Sequence, residues 1–446
     1  MKIIIAGAGD VGFHIAKLLT NEKHNIVLID NDEDILNVAS NHLDIYTIKG
    51  DSSSLDLLKK ADVREADIFI GTTTFDQNNL MSCILAKKLG AKQTIARVGN
   101  EEFSVEPNLS LMKDLGVDHI INPIQLAVQE IELLVKRYVM TNDYEFEDGR
   151  ISLVGFILHL EPYFLNQTVR DIYHKSAQKW FKIIAIRRKN HTIIPELDTV
   201  LMENDQIFLL VSSQDTGRLY KILGIEKRII KDIMILGGTP LSIRVAKKLE
   251  SKYKINMVSN DPGFCEKCSD SLNKTLVIKG NPNDFDLLED EGLLNMDIFI
   301  ALTTNTETNM LTCLLAGEMG VIKTISMVDN TAYFAVSRNL GVDTLINKKL
   351  LAANEIFRFI RRGKVEDLTT VHGVDGEIIE FIIDEKSKLI GNRVDKLKLP
   401  DSIILGALLR EDVCYVVFKE MLFLKGDKVI VFAKTRALDQ AQKIFS

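Results

Sequence analysis

Lys2-Ile3-Ile4-Ile5-Ala6-Gly7-Ala8-Gly9-Asp10-Val11-Gly12 reads as a short apolar strand running into a glycine-rich turn that opens a helix. Each glycine in this pattern has a physical use. Gly7 permits the tight turn, Gly9 lets the backbone approach a pyrophosphate, and Gly12 lets the helix pack close to the strand. The helix start, from Asp10 and Val11 onward, adds free N–H groups and the positive end of a dipole, which favour phosphate. Outward from this loop, Asn25–Ile29 forms a second strand ending at Asp30, at the spacing where a dinucleotide fold places its ribose-binding acid. A carboxylate there can accept hydrogen bonds from both ribose hydroxyls and repels a 2′-phosphate. The expected ligand is therefore NAD(H) or another nucleotide with an unphosphorylated ribose, rather than NADP.

The alternation continues. Asp32–Asn41 reads as a helix, Ile45–Lys49 as a strand, Ser54–Lys60 as a helix and Asp67–Thr72 as a strand. A helix at Asp76–Leu89, a strand at Thr94–Val98, a helix at Ser104–Leu115 and a strand at His119–Ile121 follow, and then a long amphipathic helix at Ile124–Val139. Strands alternating with helices imply parallel pairing, so the expectation is an α/β, doubly wound parallel sheet. Polar residues at the carboxyl ends of its strands should line the crevice beside the glycine loop: Asp51, Thr72, Thr73, Thr74 and Arg97. Arg97 can neutralise phosphate through a charge-assisted fork. The other readings of these residues are pairing of Arg97 with a neighbouring acid and helix capping by the threonines.

Beyond about Asp143 the pattern becomes strand-rich, with strands expected at Ile151–Leu160, Lys182–Arg187, Thr192–Pro195 and Gln206–Val211 and one helix near Val169–Ser176. The chain then repeats itself. Asp67-Ile-Phe-Ile-Gly-Thr-Thr-Thr recurs as Asp297-Ile-Phe-Ile-Ala-Leu-Thr-Thr, and the same separation relates Asn79 to Asn309, Cys83 to Cys313, Gly90 to Gly320, Thr94 to Thr324 and Asn100 to Asn330. Leu115-Gly-Val-Asp118 returns as Leu340-Gly-Val-Asp343 after a small deletion. A second strand-rich stretch follows at Glu377–Ile383, Ser402–Arg410, Tyr415–Phe418 and Asp427–Ala433. The expected order is large–small–large–small: residues 1–140, 143–225, 231–363 and 366–446, the small modules being α+β.

The second copy's loop reads Gly237-Gly238-Thr239-Pro240-Leu241-Ser242. The last glycine is Ser242, and Pro240 removes a backbone donor. The counterpart of Asp30 is Ser259 or Asn260, Asp51 becomes Asn281 and Arg97 becomes Met327. This copy either binds a different nucleotide, binds weakly or serves only to hold the assembly together.

Composition excludes several classes. Fifty-five Lys and Arg against 62 Asp and Glu give a net charge of −7, which sets no basic field for nucleic acid or anionic lipid. Apolar runs such as Ile207–Val211 and Val429–Ala433 fall far short of the roughly 20 residues of a membrane span, and Met1 is followed at once by strand-like sequence rather than a leader. A soluble intracellular protein is expected. Five cysteines fit a reducing compartment. Cys265-Glu-Lys-Cys268 has the spacing of half a zinc site or a redox motif, but no second pair follows, and it reads best as two unremarkable thiols on a helix.

The glycine loop, Asp30, Gly50-Asp51, Asp67-Ile-Phe-Ile-Gly-Thr-Thr-Thr and Ala96-Arg97-Val98 together resemble the RCK (regulator of potassium conductance) domain family. Two such domains in tandem, each with a small C-terminal module, are similar over the whole chain to the regulatory subunits of bacterial Trk potassium uptake. The resemblance implies two Rossmann-like domains, and a cytoplasmic protein peripheral to the inner face of the cell membrane. It also implies a homo-oligomeric ring, commonly a tetramer, beneath a Trk-type membrane potassium-translocating subunit. NAD(H), ATP or ADP would bind and gate the pore by changing the ring's shape. Carried over by position, Gly7, Ala8, Gly9, Asp10, Val11, Gly12, Asp30, Asp51, Thr73, Thr74 and Arg97 would form the first site.

Two other readings compete. An NAD-dependent oxidoreductase needs a poised His, Lys or Tyr, yet the eight histidines are scattered and the small modules are short for a catalytic domain. A free-standing nucleotide sensor with some other partner is the second. The expectation is a protein without catalytic residues or metal.

Overall fold

A computed structural model describes residues 1–20, 24–136, 142–146, 150–158, 161–176, 180–189, 191–223, 230–330, 333, 342, 344–361, 367–370, 374–385, 387, 389–397, 399–411, 413–416 and 421–445. The expected helix end at 137–139, the strand ends at 159–160 and 417–418, and most of the repeat at 340–343 lie outside these residues. The chain divides into two compact units: residues 1–136 with 230–360, and residues 137–229 with 361–446.

In the first unit, β1 (Lys2–Ala6), β2 (Asn25–Asp30), β3 (Tyr46–Lys49), β4 (Ile68–Gly71), β5 (Gln93–Arg97) and β6 (His119–Ile121) form a parallel sheet in the order β3-β2-β1-β4-β5-β6. The side-chain period of two gives it two buried faces. Ile3 and Ile5 pack with Ile15 and Leu19 of α1 (Asp10–Thr20) and with Leu36 and Ala39 of α2 (Glu33–His42). Ile4 and Ala6 face the other way, toward Leu58 of α3 (Leu55–Lys60), Leu80 and Cys83 of α4 (Asp76–Leu89) and Met112 of α5 (Asn108–Leu115). The expected helix at 104–115 is divided into a 3-10 turn at Glu101–Ser104 and α5. Pro107 has no N–H to give and restrains the residue before it.

The second large domain repeats this order. Its strands β12 (Asp232–Leu236), β13 (Lys254–Ser259), β14 (Leu276–Lys279), β15 (Ile298–Ala301), β16 (Lys323–Met327) and β17 (Thr344–Ile346) run β14-β13-β12-β15-β16-β17, all parallel. The fold is thus two doubly wound, Rossmann-like sheets. The two domains also trade their last helices. The first copy's α6 (Pro123–Lys136) packs on α9 (Pro240–Leu249) of the second. The second copy's α13 (Lys348–Arg361) buries Ala352, Ala353, Ile356 and Ile360 in the core around Ile3, Ile5 and Ile15.

The second unit holds two five-stranded antiparallel sheets. β7 (Asn142–Phe146), β8 (Ile151–Ile157), β9 (Phe181–Arg188), β10 (His191–Ile193) and β11 (Gln206–Ser212) are ordered β10-β9-β11-β8-β7. β18 (Asp367–Thr370), β19 (Glu377–Ile382), β20 (Ile403–Arg410), β21 (Val413–Val416) and β22 (Lys428–Ala433) are ordered β18-β19-β22-β20-β21, the same arrangement by equivalence. Each repeats one buried ion pair. Asp205, 1% exposed, accepts from Nε and Nη2 of Arg188 at 2.8 and 2.8 Å, and Asp427, also 1% exposed, accepts from the same atoms of Arg410 at 2.8 and 2.8 Å. The two sheets share a core that joins Leu153, Ile184 and Leu210 to Ile378, Ala407 and Phe432.

Candidate nucleotide site

The glycine loop follows β1 at the point where the sheet order reverses, so it faces the end of β4 across the switch-point crevice. Gly7 has φ +103°, and a Cβ there would lie 2.6 Å from the Thr73 backbone N. A Cβ on Gly12 would lie 1.8 Å from the Gly7 carbonyl oxygen, so only glycine lets α1 come this close to the strand. Gly9 differs: nothing lies within 4 Å of its would-be Cβ. The space it leaves opens into a cavity of about 490 Å³.

Gly7, Gly9, Asp10, Val11, Asp30, Asp51, Thr73, Thr74 and Arg97 line that cavity. The two remaining expected residues do not. Gly12 is buried beneath Gly7, and Ala8, 1% exposed, contributes its N–H to Asp30 Oδ2 at 2.6 Å. Asp30 Oδ1 meanwhile accepts from the Asp32 N–H at 3.0 Å, so this carboxylate ties the glycine loop to the end of β2. Asp51 Oδ1 accepts from the backbone and hydroxyl of Ser53 at 2.9 and 2.8 Å.

Of the polar residues after β4, Thr72 donates its hydroxyl to the Ala6 and Gly7 carbonyls. Thr73 donates its N–H and hydroxyl to Asn79 Oδ1, each at 2.7 Å, while Asn79 Nδ2 donates to the carbonyls of Thr73 and Arg97. Fully buried Asn79 thus pins the strand end, and Asn309 does the same for Thr303 and Met327 in the second copy. The α4 N-cap is Phe75, with no side-chain bond, so the threonines are not its caps. Arg97 donates Nη2 to the Thr73 carbonyl at 2.8 Å. Burial lowers the pKa of its guanidinium, and nearby Asp76 opposes this. Asp76 itself accepts from the N–H groups of Gly99 and Asn100.

Sequence reading missed Asn31, Asp32, Ile35, Gly50 as a lining residue, Ser52, Phe75, Asn78 and Lys349. Most are neighbours of residues it found. Lys349 comes from the second copy, and no local pattern points to it.

The second copy keeps the asparagine bracket but is built differently around its loop. The hydrogen bond from Gly237 N–H to the Val258 carbonyl matches that from Gly7 to Ile29, which makes Ser259 the counterpart of Asp30. Thr239 stands where Gly9 leaves space, and it forms a capping box with Ser242 that satisfies the helix start internally. Phe264, 8% exposed, approaches Gly237 so closely that a Cβ there would lie 2.9 Å from its ring; its counterpart Ile35, 38% exposed, lines the open first-copy cavity. Met327 replaces Arg97 and is buried.

Cys265 and Cys268 lie on helix Pro262–Ser271, and all five cysteines are free. Burial pushes the thiols of Cys83 and Cys414 up to about 12 and that of Cys268 up to about 11, so they stay neutral and unreactive at neutral pH. Among the described residues no group of His, Cys, Asp and Glu could hold a metal, and no helix is long and apolar enough to cross a membrane.

The TrkA-N domain family matches residues 3–123 and 233–348, and the TrkA-C domain family matches residues 153–224 and 378–446. The chain is 28% identical to "Trk system potassium uptake protein TrkA homolog 2" of Methanosarcina mazei, with 100% of each chain covered. It is 28% identical to "Trk system potassium uptake protein TrkA" of Halomonas elongata, covering 100% of this chain and 98% of that one. Among solved structures, the GsuK RCK domain matches with a TM-score of 0.59 at 15% identity, over 99% of this chain and 95% of that one. The GsuK channel bound to NAD matches with a TM-score of 0.60 at 15% identity, over 99% and 79%. At such identity these structures establish the shared fold.

Proposed function

The chain belongs to the TrkA family, and on that premise we propose that it is the nucleotide-binding regulatory subunit of a Trk-type potassium uptake system. The carrying observation is the open cavity over Gly9, lined by the helix start at Asp10 and Val11, by Arg97 and by Asp30. Asp30 suits an unphosphorylated ribose, so NAD(H), ATP and ADP are the candidate ligands. In this reading Gly7, Gly9, Asp10, Val11, Asp30, Asp51, Thr73, Thr74 and Arg97 line the site, and Ala8 and Gly12 shape it from below. The four modules run in the order 1–140, 143–225, 231–363 and 366–446.

The described lining offers carboxylates, hydroxyls and two cations but neither His nor Tyr, and its one lysine, Lys349, is paired with Asp10, which favours a binding role over a catalytic one. The membrane potassium-translocating subunit would be the partner, reached from the cytoplasmic face by a homo-oligomeric ring of four copies. Met81 of α4 and Leu311 at the corresponding position of the helix Thr306–Glu318 are both exposed, as is Leu315 one turn further on, and these apolar residues support self-association. Gating would follow if the nucleotide binds two ring conformations with different affinity; about 1.4 kcal/mol per site moves that equilibrium tenfold. Calorimetric titration of the full chain with NADH, ATP and ADP tests the site. Binding should weaken in both Asp30→Ala and Arg97→Ala without loss of fold, and affinity unchanged from wild type in both variants would remove the assignment.

A further inference from the structure

The first-copy cavity is not built by the first copy alone. Lys349, near the start of α13, lines it and places its ammonium 2.5 Å from Asp10 Oδ2. The position is fixed by packing: Ala352, Ala353 and Ile356 of the same helix are buried against the first-copy sheet and α1, and Asn354 is hydrogen-bonded to His14 of α1. Lys349 is therefore a residue of one nucleotide fold delivered into the binding crevice of the other.

The traded helix of the first copy supplies a control within the same chain. Asn122 Oδ1 caps α6 by accepting from the N–H groups of Ile124 and Gln125 at 3.0 and 3.1 Å. Asn347 Oδ1 caps α13 by accepting from Lys349 and Leu350 at 2.9 and 3.0 Å. Ile124 is thus the counterpart of Lys349. The cation belongs to the helix that serves the loop with Gly9 and Asp10, and an apolar residue stands in the helix that serves the self-capped loop with Thr239 and Pro240.

The ion pair is also suited to exchange. The Lys349 and Asp10 side chains are 39% and 66% exposed, and a pair so exposed is held weakly. Asp10 lies in the first turn of α1, where its carboxylate occupies the positive end of the helix dipole that a phosphate would also seek. An incoming phosphate competes with Asp10 for the same helix end and the same ammonium.

We propose that Lys349 is a phosphate-binding residue of the first-copy site. Asp10 holds it in the ligand-free chain, and its ammonium passes to the ligand's phosphates on binding, so that α13 of the second copy senses occupancy. This rests on the nucleotide-site reading above.

Titration calorimetry of the full chain with ATP and with NADH tests it, using Lys349→Gln, Lys349→Arg, Asp10→Asn and the Asp10→Asn/Lys349→Gln double variant, each checked for folding by a thermal melt. Lys349→Gln should weaken both ligands about tenfold and flatten the salt dependence of binding, while Lys349→Arg stays close to wild type. Asp10→Asn should tighten binding about threefold, a gain absent from the double variant. If Lys349 only tethers the helix, Asp10→Asn and Lys349→Gln break the same pair and act in the same direction. Affinities that fall alike in these two variants, or Lys349→Gln binding within about twofold of wild type, would overturn the inference while leaving the site reading intact. A wild-type chain that binds neither ligand would overturn both.

Discussion

Gly9 and Gly12 are the sharpest place to separate binding from folding, because adding one methyl group meets opposite surroundings at the two positions. At Gly12 the new Cβ would sit 1.8 Å from the Gly7 carbonyl oxygen. Backbone cannot yield as a side-chain tip can, so α1 would have to move away from β1 by more than an ångström. Overpacking of this kind costs about 1–3 kcal/mol, and displacing the loop should also abolish binding. At Gly9 the new Cβ meets nothing within 4 Å. Gly9→Ala should shift stability by no more than about 0.5 kcal/mol, since it breaks no contact. If a pyrophosphate lies against that backbone, the methyl group holds it off and weakens binding by about 10- to 100-fold, roughly 1.4–2.8 kcal/mol. Thermal melts paired with calorimetric titration of NADH and ATP read both quantities. A Gly9→Ala chain that melts and binds like wild type would refute the claim that phosphate occupies this space.

Other consequences are structural. Asn79→Ala removes the buried amide's four bonds, to the Thr73 N–H, hydroxyl and carbonyl and to the Arg97 carbonyl, and should cost about 2–4 kcal/mol in a denaturant melt, with Asn309→Ala losing a similar amount because its bonds are the same. Asp205→Ala strips the partner from Arg188 and should destabilise by about 3 kcal/mol; a loss below about 0.5 kcal/mol would mean that the pair is dispensable. Acid should loosen the traded helix. Burial lowers the pKa of His14, which bonds Asn354, and of His119, whose ring lies 3.8 Å from that of Phe359. Lys17 adds to the effect at His14, and Asp118 opposes it at His119. A histidine whose folded pKa is depressed binds its proton more readily when unfolded, so stability is full above the unfolded value near 6.5 and falls as pH drops below it. Melting temperatures from pH 7.5 to 5.5 should decline, and less steeply in His14→Gln; identical slopes would argue against this role.

What sequence could reveal here followed the range of the forces that encode it. The alternation of Ile3 and Ile5 with Ile4 and Ala6, the glycine loop and Asp30 are local patterns, and they sufficed for the doubly wound sheets and for most of the cavity wall. The duplication carried the second domain. Pro107 was a local signal passed over inside an otherwise helical stretch. Lys349 was beyond reach, since its place depends on apolar residues of α13 choosing the first copy's core over their own, a competition between two near-equivalent surfaces. The Asn79 and Asn309 brackets were visible only as repeated letters, because a buried asparagine reveals its partners only once the strand end and helix are assembled. Phe264 was likewise hidden: its burial over Gly237 depends on the fold, not on its neighbours in sequence.

Nucleotide held at the first-copy site should regulate potassium uptake. Rubidium or potassium influx should be measured in cells lacking this chain and every other potassium transporter but the Trk-type translocator, after complementation with wild type or with Gly9→Ala at matched expression. Wild type should restore influx, and Gly9→Ala, folded but unable to hold phosphate, should restore markedly less. Equal influx with both chains, or none with wild type, would contradict it.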